Sequence, residues 1–223
     1  MERNTRLERQ LGFIAELDRL KAVSRMTRIG GGERRENSAE HTWHVAAMAP
    51  LLAEYAPDGV DPWRAVRMLL LHDVVEIDAG DTFCFDERAH DDKEDRERRA
   101  AGRLFGLLPG DQAAEWTALW EEFEEGATPD ARFAVALDRF QGLLQNRLNG
   151  GGTWLEHGVS RERVLRRMEP IREGAPALWP TVLRVLEEVG LAETADRAAS
   201  TDPRRDHPDP SAGSPPVSPP TPR

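Results

Sequence analysis

Apolar residues return at three- and four-residue steps along most of this chain, and helices are what that spacing predicts. Leu7, Leu11, Ile14, Leu17 and Leu20 form one such stripe among charged residues, the pattern of an amphipathic helix with one side toward a core. Asn37, followed three residues later by Glu40, reads as a capping box opening a second helix that runs to about Tyr55. Asp61-Pro62 supplies an N-cap and a proline at the first helical position, so a third helix should carry Leu69 to Val75 and end at Ala79-Gly80. A charged stretch from Asp86 to Arg99 passes into a helix with Leu104, Phe105 and Leu107, and Leu108-Pro109-Gly110 separates it from another through Trp116, Leu119, Trp120 and Phe123. Thr128-Pro129 starts a long helix through Phe133, Leu137, Phe140, Leu144 and Leu148, which Asn149-Gly150-Gly151-Gly152 stops. Ser160 caps one more, Pro176 begins the last, and Gly190 stands where a left-handed C-terminal cap is expected.

Between the first two helices, Ser24 to Glu36 combines Gly30-Gly31-Gly32 with Arg25, Arg28, Arg34 and Arg35, and reads as a basic loop. No segment carries a strand's alternation, so the fold class expected is all-α, a helical bundle. From about Asp196 the composition turns to Pro, Ser, Asp and Arg with almost nothing apolar. Such a segment cannot bury enough surface to offset its ordering entropy, so residues 196–223 are expected to be a disordered tail behind one domain at 1–195.

Composition narrows the functions open to this bundle. A net charge of −10 and a pI near 5.2 argue against a grip on nucleic acid polymers, which takes clustered positive charge. The single cysteine, Cys84, excludes an internal disulfide and a cysteine-based zinc site, and fits a reducing compartment. The first residues are charged, with no uninterrupted apolar run after them, and no segment approaches the roughly 18 uncharged apolar residues of a membrane helix. A soluble, cytoplasmic protein with no membrane partner is the expectation.

Candidate chemistry centres on His72-Asp73, inside Leu69-Leu70-Leu71-His72-Asp73-Val74-Val75-Glu76. Ionisable groups are buried when paired or coordinated, because desolvating a lone charge costs several kcal/mol. With His41 and Asp138, on two other predicted helices, they make a mixture of imidazoles and carboxylates that a divalent metal accepts, with positions left open for water and substrate. Neighbours on a helix point about 100° apart, so His72 and Asp73 should not face each other but should converge on an ion off the helix surface. Taken singly, Asp138 could instead pair with Arg139 or Arg132, and His41 could be an ordinary polar residue near a helix start.

The order His41, His72-Asp73, Asp138 resembles the H…HD…D pattern of the HD-domain metal-dependent phosphohydrolases. Glu36-Asn37-Ser38-Ala39-Glu40-His41-Thr42-Trp43-His44-Val45-Ala46 and His72-Asp73-Val74-Val75-Glu76-Ile77-Asp78-Ala79-Gly80-Asp81 look like the matching segments of bacterial 5′-deoxynucleotidases. The resemblance covers roughly Leu7 to Val189. It implies an HD-domain helical bundle that hydrolyses nucleoside 5′-monophosphates, deoxynucleotides above all, to nucleoside and phosphate. His41, His72, Asp73 and Asp138 would then bind one divalent metal ion, with cobalt, manganese, magnesium, zinc and iron not distinguished. Glu76 matches the acidic residue beside the attacking water, and three- and four-residue spacing puts it on the helix face of Asp73 and His72. Asp81 matches an acidic residue that contacts the sugar. Among the loop arginines, natural phosphate clamps, the resemblance selects Arg25. Arg25 is followed by Met26 where relatives carry an aromatic residue, which keeps open another phosphate ester or nucleotide as substrate. A third reading is a non-catalytic helical interaction module with a structural metal site. Family members often pair, so a homodimer is a further possibility.

Overall fold

The computed structural model describes residues 2–86 and 92–191; the tail expected over 196–223 and part of the charged stretch after Asp86 lie outside the described residues. Eleven α-helices follow in chain order among the described residues: α1 Glu2–Leu17, α2 Ser38–Leu51, α3 Pro62–Leu71, α4 Glu76–Ala79, α5 Lys93–Phe105, α6 Gly110–Glu125, α7 Pro129–Leu148, α8 Gly152–Glu156, α9 Arg161–Met168, α10 Pro170–Gly174 and α11 Trp179–Glu188. No helix of the described residues is long and apolar enough to cross a membrane.

The long helix α7 is the centre of the bundle, packed against α2, α3, α6, α10 and α11. Its start is fixed locally: the Thr128 hydroxyl accepts the Ala131 amide, and Pro129 takes the first turn, where its missing N–H is not needed. Phe133, Ala134, Ala136, Leu137 and Leu143 are wholly buried along it. The approach of α10 is close enough that a Cβ on Gly174 would lie 2.0 Å from the Arg132 carbonyl oxygen, so only glycine allows these two backbones to meet. Helix α2 opens with the predicted capping box: Asn37 Oδ1 accepts the Glu40 amide at 2.9 Å and Glu40 Oε2 accepts the Asn37 amide at 3.1 Å. It stops at Leu51 rather than near Tyr55, and a short 3₁₀ turn covers Ala53–Tyr55. Pro50, with no N–H for the preceding turn, weakens the helix there. Gly190, at φ 67°, takes the expected left-handed position after α11.

Four expectations are corrected. The basic loop is a hairpin: β1 Ser24–Arg28 pairs antiparallel with β2 Arg35–Asn37, with Gly31 and Gly32 at positive φ in the turn. Ser-Arg-Met-Thr-Arg has no apolar alternation, so the strands stand by docking instead: Asn149 Nδ2 donates to the Arg28 carbonyl at 2.9 Å, and Arg28 pairs with Glu156 at 3.0 Å. The helix expected through Val75 breaks after Leu71. Bonds from the Val74 amide to the Leu71 carbonyl and from the Glu76 amide to the Asp73 carbonyl tighten the winding before α4 resumes. The last helix begins at Trp179, after a 3₁₀ turn at Pro176–Leu178. Finally, α1 buries only the far end of its stripe: Leu17 packs against the core and Leu20, in the 3₁₀ turn that follows, is buried. Leu7, Leu11 and Ile14 are at least half exposed, and the helix docks through Phe13, set edge-on against Trp116 at 5.2 Å.

Candidate metal centre and substrate cavity

Helices α2 and α7 and the tightened turn after α3 bring the candidate ligands to one point. The donor atoms of His41, His72 and Asp73 lie within 4.8 Å of one another. Asp138 Oδ1 stands 2.9 Å from His41 Nε2 and 3.9 Å from His72 Nε2. His72 Nε2 is 3.0 Å from Asp73 Oδ1, closer than a regular helix would set two neighbouring side chains, and the tight turn is what draws them together. Two donors bound side by side to an ion at about 2.1 Å sit about 3 Å apart, and donors on opposite sides about 4 Å. The observed 2.9, 3.0, 3.8 and 3.9 Å separations fall in that range.

The protons support the same fit. His72 Nδ1–H donates to the Leu69 carbonyl at 2.7 Å, which leaves its Nε2 lone pair facing the cluster, and that buried nitrogen has no hydrogen-bond partner. His41 Nδ1 lies 3.0 Å from Gln141 Oε1, and the Gln141 amide nitrogen donates to Glu36 Oε1 at 2.8 Å. With the Gln141 oxygen turned to the ring, His41 carries its proton on Nδ1, and its Nε2 lone pair points at a carboxylate. Two acceptors at 2.9 Å need a cation or a proton between them. A proton is disfavoured there: burial, then the charge of Arg25, pushes the His41 imidazole down to about 3. Asp138 is ionised despite its burial, held well below the usual carboxylate range by Arg139 and the two histidines. A carboxylate-rich cluster with two inward imidazole lone pairs is what a divalent cation fits.

Glu76 lies beside the cluster, with Ser38 Oγ donating to its Oε2 at 2.7 Å. Burial and the neighbouring Asp73 raise its carboxyl, and burial raises Asp73 as well. Arg25, on β1, is the loop arginine that reaches the site: Nη1 is 3.0 Å from Asp73 Oδ2 and 3.8 Å from Asp81 Oδ1, and Nε is 3.6 Å from Glu36 Oε2. Arg34 is spent on Glu40, and Arg28 on Glu156. Asp78 turns away to Arg103 and Arg19, so Asp81 is the aspartate of that loop that faces the site. A cavity of about 620 Å³ opens over the cluster, with Arg25, Asp73, Glu76, Asp81, Phe83 and Asp138 in its wall.

Residues 17–179 match the HD domain family. The chain belongs to it. A solved structure of a predicted metal-dependent phosphohydrolase from Magnetospirillum magnetotacticum MS-1 is 54% identical to this HD domain chain, with a TM-score of 0.80, over 83% of this chain and 93% of that one. The human 5′-deoxynucleotidase HDDC2 is 32% identical over 136 residues, 60% of this chain, which spans 65% of that protein's length. A Schizosaccharomyces pombe 5′-deoxynucleotidase, hdd1, is 26% identical over 60% of this chain and 68% of its own. The PH0347 protein from Pyrococcus horikoshii OT3, at 23% identity and a TM-score of 0.61, shares the fold.

The seven residues singled out in the sequence of this HD domain, His41, His72, Asp73, Asp138, Glu76, Asp81 and Arg25, lie together around one cavity and its floor. Their supports were not singled out. Ser38, Glu36 and Gln141 orient Glu76 and His41, and the spacing of Gln141 three residues after Asp138 on one helix was the available signal. The pairing of Asp138 with Arg139, named as an alternative to metal binding, occurs alongside the cluster, whereas Arg167 and the aromatic pair Phe83 and Phe85, with ring centroids 5.6 Å apart, went unread in the sequence.

Proposed function

We propose that this chain hydrolyses nucleoside 5′-monophosphates, deoxynucleotides foremost, to nucleoside and phosphate, with one divalent ion held by His41, His72, Asp73 and Asp138. The observation that carries the reading is the paired inward lone pairs of His41 and His72, set among carboxylates beneath an open cavity. The sequence similarity to 5′-deoxynucleotidases supports the substrate class.

The ion, when bound, supplies the positive charge that keeps Glu76 ionised, polarises the phosphoryl oxygens and acidifies the attacking water. Glu76, fixed by Ser38, accepts a proton from that water as the water oxygen bonds to phosphorus in line with the breaking bond to the 5′ oxygen, which leaves as the nucleoside hydroxyl after taking a proton from solvent. Arg25 holds Asp73 in place and lies beside the phosphate, and Asp81 accepts a hydrogen bond from the sugar. Phe83 and Phe85 provide the aromatic surface in the cavity that Met26, also in its wall, does not.

Phosphate release from deoxy- and ribonucleoside 5′-monophosphates, assayed against sugar phosphates with cobalt, manganese or magnesium, tests this. Turnover of deoxynucleotides is expected to exceed that of sugar phosphates; release from non-nucleotide esters alone would overturn the substrate and leave the hydrolysis. Pairing of two copies and a cytoplasmic setting belong to the same reading, supported by the resemblance and by a single, unpaired cysteine. Light scattering on the same preparation should give twice the 25.0 kDa chain mass, and a monomer mass refutes the pairing.

A further inference from the structure

Besides the exposed Arg132 and Arg166, the cavity wall holds two half-buried arginines, Arg139 and Arg167, whose charges are not balanced in the way that Arg25 is. Arg25 is matched by Asp73, Glu36 and Asp81 within 3.8 Å. Arg167, on α9, lines the same cavity half-buried, and among the described residues no carboxylate stands within ion-pair distance of it. Its near neighbours include Arg139, on α7, a like charge. Arg139 spends one terminal nitrogen on Asp138, while its buried Nε has no partner.

Two guanidinium groups brought together away from bulk water repel each other, and that arrangement is favourable where an anion comes between them. The strain is visible on Arg167, whose guanidinium is lowered to about 10 by burial and by Arg139. The positive field extends to Cys84, a neighbour in the wall, where Arg167, Arg139 and Arg25 all act to lower a thiol that burial raises. Asp138 ties this pair to the candidate metal centre: one carboxylate oxygen lies 2.9 Å from His41 Nε2, and the other meets Arg139. A group resting on the cluster therefore has the arginines on its flank.

We propose that Arg167, with Arg139 beside it, is the phosphate-binding pair of this cavity, taking the terminal oxygens of the dianionic phosphomonoester while Arg25 serves mainly as counter-ion to Asp73, Glu36 and Asp81. The inference rests on the reading of the cavity as a phosphomonoesterase site. Arginine suits the task because its planar fork of donors matches two phosphate oxygens, and it stays charged even when lowered. Arg167 can be changed without touching the cluster; Arg139 cannot, because it also holds Asp138.

The test is calorimetric binding of inorganic phosphate to the Mg²⁺-saturated full chain, with Arg167→Gln and Arg167→Lys compared with wild type, together with KM and kcat on a deoxynucleoside monophosphate. Arg167→Gln is expected to weaken phosphate binding and raise KM roughly 10- to 100-fold, and Arg167→Lys to restore part of both. Metal content should be unchanged, and the melting temperature equal or higher, because a like-charge contact is relieved; a merely structural arginine would lower it. Wild-type phosphate affinity in Arg167→Gln, or no phosphate binding by wild type, overturns the proposal. Arg167-dependent phosphate binding by a protein that hydrolyses no phosphomonoester would retain the anion site and overturn the proposed function instead.

Discussion

Glu76→Gln is expected to lower kcat by about 10²- to 10⁴-fold, the range for removing a positioned general base, with KM changed by no more than a few fold. Glutamine keeps the size of the side chain and an oxygen that can accept from Ser38 Oγ, so the fold and the hydrogen bond at 2.7 Å should persist. What it loses is the ability to take a proton. Glu76 stands beside the four candidate ligands rather than among them, and metal content measured on the purified variant should match wild type. A variant that keeps both its metal and its kcat would show that another group accepts the proton. Loss of metal along with activity would make Glu76 a ligand.

Stripping divalent ions is expected to make the protein lose stability as pH rises from about 7 to 9, and restoring them to flatten that loss. In the metal-free chain burial raises Asp73 to about 8 and burial with Asp73's charge raises Glu76 to about 9. The unfolded chain releases the same protons near pH 4. The folded state therefore holds protons the unfolded state has lost, and stability falls through this window. One retained proton corresponds to a loss on the order of 2 kcal/mol between pH 7 and 9. The lowered histidines, His41 and His72, have the opposite sign, and their contribution is already complete above pH 6.5. Cys84, raised by burial, adds slope to both curves, so the difference between them isolates the carboxyls. Thermal unfolding with chelator and with saturating Mg²⁺ measures it; parallel curves would remove the carboxylates from the metal site.

What could be seen in the chain alone follows a physical divide. Capping boxes, N-cap prolines and apolar periodicity are local, so the starts of α2, α3 and α7 are legible in the sequence, whereas the break after Leu71 is not, and the gathering of His41, His72, Asp73 and Asp138 follows from a motif with a recognisable order. The supports of those residues are not local. Glu36 and Gln141 are 105 positions apart, and neither is unusual where it stands. The hairpin that places Arg25 has strands of five and three residues, stabilised by Asn149 and Glu156 from more than 100 residues away. Arg167 is one of four arginines on α9, and nothing before the packing against α7 says which of them is half-buried in the cavity wall. The α1 stripe misled for a related reason. Amphipathicity marks a face, but α1 docks through Phe13, which packs on Phe105 and Trp116, and through polar contacts of Arg6, Arg9 and Gln10.

The hairpin carries a consequence for how such a protein can diversify. The proposed hydrolytic centre is drawn mainly from helices whose backbones are held by the core, so drift there is punished twice, in chemistry and in folding. Arg25 and Met26 ride on short strands whose register is irregular and whose turn is rich in glycine. Residues on that ribbon other than the ion-paired Arg25 and Glu36 can be exchanged with little disturbance to the bundle. New substrates can therefore be tried without rebuilding the machinery that cleaves them, and Met26 stands at a position where such a trial would leave its mark.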